Sequence, residues 1–432
     1  MSDALQNFVE DLNSAGTGAN PPWLKSIRDA ARAHMDQAGF PNTRQEEWRF
    51  TNVAPLLELP LHPAAQNGRH VSASDIEPFQ LDADGARLVF VDGWFRSDLS
   101  SLPKAPGLEV DSLRNRLNGD GALLQKHLGR HASCVGNFFT ALNTAFFQDG
   151  AFVSVAAGAA LEQPVQLLFV AASEKPGAAA QVRNLILAER GASVKIVETY
   201  ASLTGAAHMT NAVTELTLGP EARVEHCRLQ NENQQAFHIA AVQAVQEKDS
   251  RWLSHSIASG GRFARNQIQA LLNAGGAEAV LNGLYLGRDE QLIDHHTVVD
   301  HAKPHCESHE FYHGILSDRS HGVFNGKIFV RKDAQKTNAK QTNRNLVLSE
   351  NAVIDTKPQL EIFADDVKCT HGATVGQLND EALFYLRSRG IGSDDARRML
   401  IRAFANDVVN RITIEPVRER LDKLLEERFD RG

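Results

Sequence analysis

Cysteine is scarce in this chain. Cys134, Cys227, Cys306 and Cys369 lie far apart, and no CxxC pair occurs. That argues against a zinc ribbon or a thioredoxin-like redox motif. Widely spaced cysteines fit reduced thiols, so a cytoplasmic location is expected. Long hydrophobic runs are lacking as well. No stretch of about 18 apolar residues exists, so no transmembrane helix is expected. The opening MSDALQNFVEDLNSAG is acidic and has no basic segment leading into an apolar core, so a secretory signal is not expected. Positive charge is nowhere concentrated, and the formal net charge is -8. Binding to nucleic acid through phosphate contacts is thereby disfavoured. Neither GxxxxGK[ST] nor GxSxG is present. The chain is therefore not expected to hydrolyse ATP by itself, and it lacks a nucleophile elbow.

What is present suffices for a large core. The 432 residues are 42% hydrophobic, and that length suggests two or three domains. Leu5, Phe8, Val9 and Leu12 recur at helical spacing. After Pro21-Pro22 a second helix is predicted from Trp23 to Ala38, with Leu24, Ile27, Ala30, Ala31 and Met35 on its apolar face. The stretch PNTRQEEWRFTNVAPL, 41–56, mixes turn formers, charge and aromatics, and reads as an ordered surface segment. From about Ala86 the pattern turns to short β runs. Several begin alike, with a turn residue, an alanine and an apolar alternation. Examples start at Gly158, Gly191, Pro220, Gly276 and Asn351. Ala192 and Ala222 are 30 apart, and Ala222 and Ala277 are 55 apart, about two such periods. Short strands recurring in this way suggest a parallel β-helix. A sandwich or large barrel is the alternative on pattern alone. From Asp380 the 3.6-residue period returns. One helix runs from Glu381 to Arg389 and stops at Gly390. Ser393 is placed to cap the next, whose apolar face reads Met399, Leu400, Ala403, Phe404 and Val408. A last helix after Pro416 presents Val417, Leu421, Leu424 and Leu425. Three regions follow: helical 1–85, a β core 86–376, and helical 377–432.

The most informative segment is DTKPQLEIFADDVKCTHGATVG, 355–376. Cys369 and His371 are one residue apart, so on a strand both point to the same face. Thiolate with imidazole suits iron, zinc or copper better than magnesium or calcium. Two ligands make half a site, to be completed by another part of the chain or by a partner. The competing reading is a core cysteine and a hydrogen-bonded histidine. A second cluster, DHHTVVDHAKPHCESHEFYHGILSDRSH, places His301, His305, His309 and His313 at intervals of four. Pro304 disfavours a helix there. On an extended chain the four share one face at about 13 Å spacing, too far for neighbours to share one metal directly. They read either as a polar strand face or as a metal site. Phe384 to Arg389 reads either as core aromatics with solvated arginines or as a docking surface.

Residues 345–391, NLVLSENAVIDTKPQLEIFADDVKCTHGATVGQLNDEALFYLRSRGI, closely resemble the C-terminal signature of the SufB/SufD family, scaffold subunits of the SUF iron–sulfur cluster assembly machinery. TRQEEWRFT (43–51), FVDGWF (90–95), the run 141–169, Phe324-Asn325-Gly326 and Gln341-Thr342-Asn343 fit the same pattern and favour its SufD branch. The resemblance covers nearly the whole chain. It implies a mainly β fold, a right-handed parallel β-helix core flanked by N-terminal and C-terminal α-helical regions. It also implies a non-catalytic scaffold that pairs with SufB and binds the ATPase SufC. Docking of SufC is carried onto Phe384, Tyr385, Leu386, Arg387, Arg389, Gly390 and Ile391. His371, with Cys369 as its motif neighbour, is carried into nascent-cluster assembly at the SufB–SufD interface. No stably bound cofactor is expected, only a transient iron–sulfur cluster or iron at that interface. A homodimer is expected when SufB is missing. The histidine series inherits no role. The alternative from another class is a β-helix metal-dependent hydrolase or lyase using the region from His295 to His321.

Overall fold

The computed structural model describes residues 3–16, 21–66, 68–119 and 121–429. Among these, helices α1 (Asp3–Ala15), α2 (Pro22–Ala38), α3 (Ala73–Ile76), α4 (Leu113–Asn118), α5 (Ala122–His127) and α6 (Phe138–Phe146) precede most of the β structure. Helices α7 (Asp380–Ser388), α8 (Ser393–Val409) and α9 (Glu415–Phe429) follow it. Between them the chain alternates between two ten-stranded sheets. In the first, Phe237–Gln246, Phe263–Leu272, Leu292–His301, His321–Val330 and Val353–Ile362 lie side by side in that order. In the second, Arg223–Asn231, Arg251–Ala258, Glu278–Gly287, Glu307–Leu316, Asn338–Val347 and Lys368–Gly376 do the same. These neighbours are all parallel, and each coil contributes one strand to each sheet. The predicted β-helix is thus a two-sided parallel solenoid. Sandwich and barrel are set aside.

The alanine theme is a stacked corner. Arg223 pairs with Ser193 and Arg251, and Glu278 with Arg251 and Glu307. The residues just before these strand starts are Ala192, Ala222, Ser250, Ala277 and Cys306, all fully or almost fully buried. A chain that turns sharply over the same spot in every coil has room only for small side chains there. Cys306 belongs to this column, and its thiol donates to the Ala274 carbonyl at 3.2 Å.

Alternate residues of each strand point inward. Val194, Ile196 and Tyr200, Val224, Trp252, Ala279, Leu281 and Tyr285 form one continuous apolar core with Ala240, Val242, Ile268 and Ile293 from the facing sheet. Glycine is required where rings cross this interior. A Cβ on Gly283 would stand 2.1 Å from the Tyr312 ring, and one on Gly314 would stand 2.3 Å from Tyr285. Gly314→Ala should therefore destabilise the chain by about 1–3 kcal/mol through overpacking. A urea melt unchanged from that of the parent would contradict this.

The helices cover outer faces. Leu5, Phe8 and Leu12 of α1 and Ala31 and Met35 of α2 pack with Phe138, Phe139, Leu142 and Phe146 on the first sheet. Helix α2 departs from its predicted apolar face. Ile27 is half-buried and Ala30 exposed, whereas Arg28 is buried. Its guanidinium donates to the carbonyls of Ala145 and Phe147, each at 3.1 Å, and lies over the Phe147 ring. At the other end, α8 and α9 seal the second sheet with Ile401, Ala405, Val408, Val409, Val417, Leu421 and Leu425. The predicted face of α8 is rotated from the observed one. Met399 and Ala403 are exposed, while Ala396, Ile401 and Ala405 are buried. Gly392 rather than Ser393 occupies the N-cap, with Asp394 and Asp395 in the first turn.

Candidate functional site at the open end of the solenoid

The strands Val353–Ile362 and Lys368–Gly376 are the last of their respective sheets. Both belong to the final coil, and neither is covered. Residues 353–376 hold almost no buried side chain, in contrast to the coil beneath. Val353 (51%), Phe363 (59%) and Val375 (52%) are strongly exposed for apolar residues. Each edge strand also presents a row of backbone N–H and C=O groups with no strand beyond it.

Cys369 and His371 stand on this edge. Register fixes where they point: Ala339 pairs with Cys369, Gln341 with His371, and Asn343 with Ala373. Ala339, Gln341 and Asn343 are buried, facing the interior. Cys369 and His371 therefore continue an interior column and are exposed only because no further coil lies over them. Cys369 is half-buried against Ile328, Val330, Ala339 and Ala364, and burial pushes its thiol up. His371 is exposed. Both expected site residues share one face, but the buried, core-type reading of the pair does not hold for His371. Among the described residues no group of three or more His, Cys, Asp or Glu side chains converges on a metal position.

Beneath them runs a polar interior that sequence reasoning missed. Glu310, fully buried one coil below Gln341, accepts from Thr297 Oγ1 at 2.5 Å and from Gln341 Nε2 at 3.2 Å. Desolvation pushes its carboxyl up to about 7. Asn343 Oδ1 accepts from Asn345 Nδ2 at 2.6 Å and from Thr356 Oγ1 at 2.8 Å. Tyr285 donates its hydroxyl proton to Asn345. Deeper still, Glu198 is fully buried, yet hydrogen bonds from His226 and Tyr200 and the charge of Arg228 hold its carboxyl well below the usual range. The strand NAKQTNRNLV is polar on both faces from Lys340 to Asn345, so its sequence does not mark which set turns inward.

The TRQEEWRFT segment is ordered, as expected, and lies across the outer face of the first sheet. The Arg265 guanidinium stacks on Trp48 at 3.9 Å, Thr51 donates to Asp294 at 2.6 Å, and Lys357 of the last coil pairs with Glu46 at 2.8 Å.

The histidine series does not form one face. His301 is inward in the first sheet and bonds Ser308 Oγ at 2.8 Å, and burial lowers it to about 4. His305 sits in a turn with φ 59°. His309 and His313 point outward from the second sheet, where the His313 ring stacks on Phe404 at 4.2 Å. The single-face expectation assumed one continuous strand. The chain instead turns between sheets at 302–306.

The residues expected to dock a partner lie on α7 and its C-terminal turn. No residue of α7 is buried, and Phe384 (74%) and Tyr385 (57%) project into solvent. Arg389 lies over the Tyr385 ring at 5.2 Å. Gly390, with φ 85°, ends the helix, and the Ile391 N–H reaches back to Leu386 O.

The sequence that builds this parallel solenoid with helical flanks matches a known family. Residues 169–404 match the family described as SUF system FeS cluster assembly, SufBD core domain, and residues 6–167 match the SufBD protein N-terminal region. The chain belongs to the SufBD family of iron–sulfur cluster assembly proteins. The iron–sulfur cluster assembly protein SufD of Escherichia coli is 33% identical across 100% of this chain and 98% of that protein. A SufBD family protein of Synechocystis is 34% identical over 96% of this chain and 93% of its own length. SufD of Bacillus subtilis is 29% identical over 94% of each. The expected SufD-type membership is borne out. No helix among the described residues is long and apolar enough to cross a membrane.

Proposed function

We propose that this chain is a non-catalytic cytoplasmic scaffold subunit of the SUF system. It pairs with SufB through the open end of the solenoid and carries SufC on its C-terminal helices. The observation that carries this reading is the uncovered final coil with Cys369 and His371 on its inward-facing column. A half-site at a free strand edge is completed by whatever adds the next coil. Thiolate, imidazole and carboxylate donors in a dry pocket are what a nascent iron–sulfur cluster requires. His371, exposed at the open edge, is the ligand offered to the cluster as cargo. Cys369, whose thiol is held protonated by burial, enters as a ligand only once iron displaces its proton.

His371→Ala should leave pairing with SufB intact while lowering the yield of assembled cluster several-fold. Normal yield from the purified complex removes His371 from the reaction. For SufC, removing the whole helical tail is a poor test, because α8 and α9 are part of the core. The exposed pair is the better target. Phe384→Ala with Tyr385→Ala should weaken SufC binding at least tenfold, as loss of an aromatic anchor does, with the melting temperature unchanged. Unaltered affinity by calorimetry moves the docking site elsewhere. When SufC subunits approach each other on binding ATP, the force enters through these helices and shifts the population of open and closed edges.

A further inference from the structure

One buried polar atom beneath His371 has no partner. Gln341 is 1% exposed, and its Oε1 is hidden from solvent and accepts no hydrogen bond. A buried carbonyl left unpaired costs about 1–3 kcal/mol, so its orientation calls for a cause and a use.

The cause is visible. Gln341 Nε2 donates to Glu310 Oε1 at 3.2 Å, and the other Glu310 oxygen already accepts from Thr297. Above about pH 7, where the Glu310 carboxyl is ionised, it only accepts, so it selects the nitrogen end of the amide. Gly326 leaves the space for this arrangement. A Cβ there would stand 2.1 Å from Gln341 Nε2 and 2.8 Å from Cδ. With the nitrogen turned toward the coil below, the oxygen is carried away from it. The residue one coil above in the same column is His371, which pairs with Gln341 in register. Paired residues on adjacent strands lie about 5 Å apart, within reach of a side-chain rotation.

We propose that Gln341 is a positioning residue for His371. Its amide oxygen accepts one imidazole N–H, which fixes a single tautomer and turns the other ring nitrogen, with its lone pair, toward the open edge. Histidines that bind metals commonly donate their second nitrogen to a carbonyl or carboxylate in this way. The file Thr297, Glu310, Gln341 and His371 runs from a hydroxyl donor in the core to a ligand at the surface. The use of the fixed tautomer rests on the reading of His371 as a cluster ligand; the hydrogen bond itself does not.

The test uses the full chain labelled with nitrogen-15 in its histidine rings. Spectra are taken under mildly alkaline conditions, where a free imidazole is neutral, and the His371 signals are assigned by comparison with His371→Ala. The expected result is one dominant His371 tautomer. Gln341→Met keeps the volume but removes the acceptor, and should return His371 to the tautomer mixture of free histidine. Gln341→Glu keeps an acceptor and should preserve the single tautomer. Gly326→Ala displaces the amide from the other side and should mimic Gln341→Met. Identical tautomer ratios in the parent and in both Gln341→Met and Gly326→Ala overturn the proposal. Cluster yield is measured separately. A fixed tautomer with normal yield in His371→Ala would uphold the hydrogen bond and reject the ligand role.

Discussion

Glu215→Ala is expected to be the most damaging single substitution in the chain. Glu215 is fully buried on the strand His208–Leu218 and pairs with the equally buried Arg183, whose Nη2 stands 2.5 Å away. The same carboxylate accepts backbone N–H groups from Gly129 at 2.7 Å, Arg130 at 3.0 Å, His131 at 2.8 Å and Ala132 at 3.3 Å. Arg183 in turn donates to Thr144 of α6 at 2.9 Å. One side chain thus ties the 129–132 loop and the α6 layer to the first sheet. Truncating it strands a buried guanidinium and four amide donors. Breaking a buried pair from one side costs about 3–5 kcal/mol, and a typical protein has only about 5–15 kcal/mol in total. The variant should collect in the insoluble fraction or unfold at a much lower urea concentration. Glu215→Gln keeps acceptor atoms and should lose less. A Glu215→Ala midpoint equal to the parent's would show that the loop and α6 are held by other contacts.

Glu310→Gln is expected to act in the opposite direction, and only above acid pH. Burial raises the Glu310 carboxyl from its ordinary 4.5 to about 7. Below 4.5 it is protonated whether the chain is folded or not, and contributes no pH dependence. Between 4.5 and 7 the folded state holds a proton that the unfolded state has released, so stability falls as pH rises. Above 7 the folded chain carries a buried charge and the full cost, on the order of 3 kcal/mol. Glutamine is never charged. The variant should match the parent near pH 4.5 and exceed it by a few kcal/mol at pH 8. Chemical denaturation across that range checks it. Parallel pH profiles for the two proteins would mean that Glu310 titrates normally. A stabilising substitution inside a core marks a residue kept for something other than stability, which fits a carboxylate that fixes the amide beneath His371.

The solenoid was readable because its corner repeats. A position with space only for Ala, Ser or Cys, returning about every 30 residues, betrays the coil even when the strands differ. Cys369 and His371 were readable because their one-residue spacing is meaningful only on a strand. The polar file was not readable. Gln341, Asn343 and Asn345 alternate with Lys340, Thr342 and Arg344, so hydropathy gives no hint of which set faces inward. Only register against Glu310 and Tyr312 decides it. The histidine series misled for a related reason, since even spacing means nothing once the chain turns from one sheet to the other. Arg28 and the rotated face of α8 failed because tertiary partners, the carbonyls at the C-terminal end of α6 and the second sheet, chose the buried stripe.

The last coil behaves like the growth face of a crystal. Each coil is laid down on a template supplied by its predecessor, and the two sheets stop flush, with Val353–Ile362 and Lys368–Gly376 belonging to the same turn. No helix among the described residues lies over that face, so no element there terminates growth. A newcomer must match both strands at once, which demands a molecule of like cross-section and admits few orientations. Concentrated and alone, the chain should stack on its own copies through this face, which sedimentation at rising concentration would check.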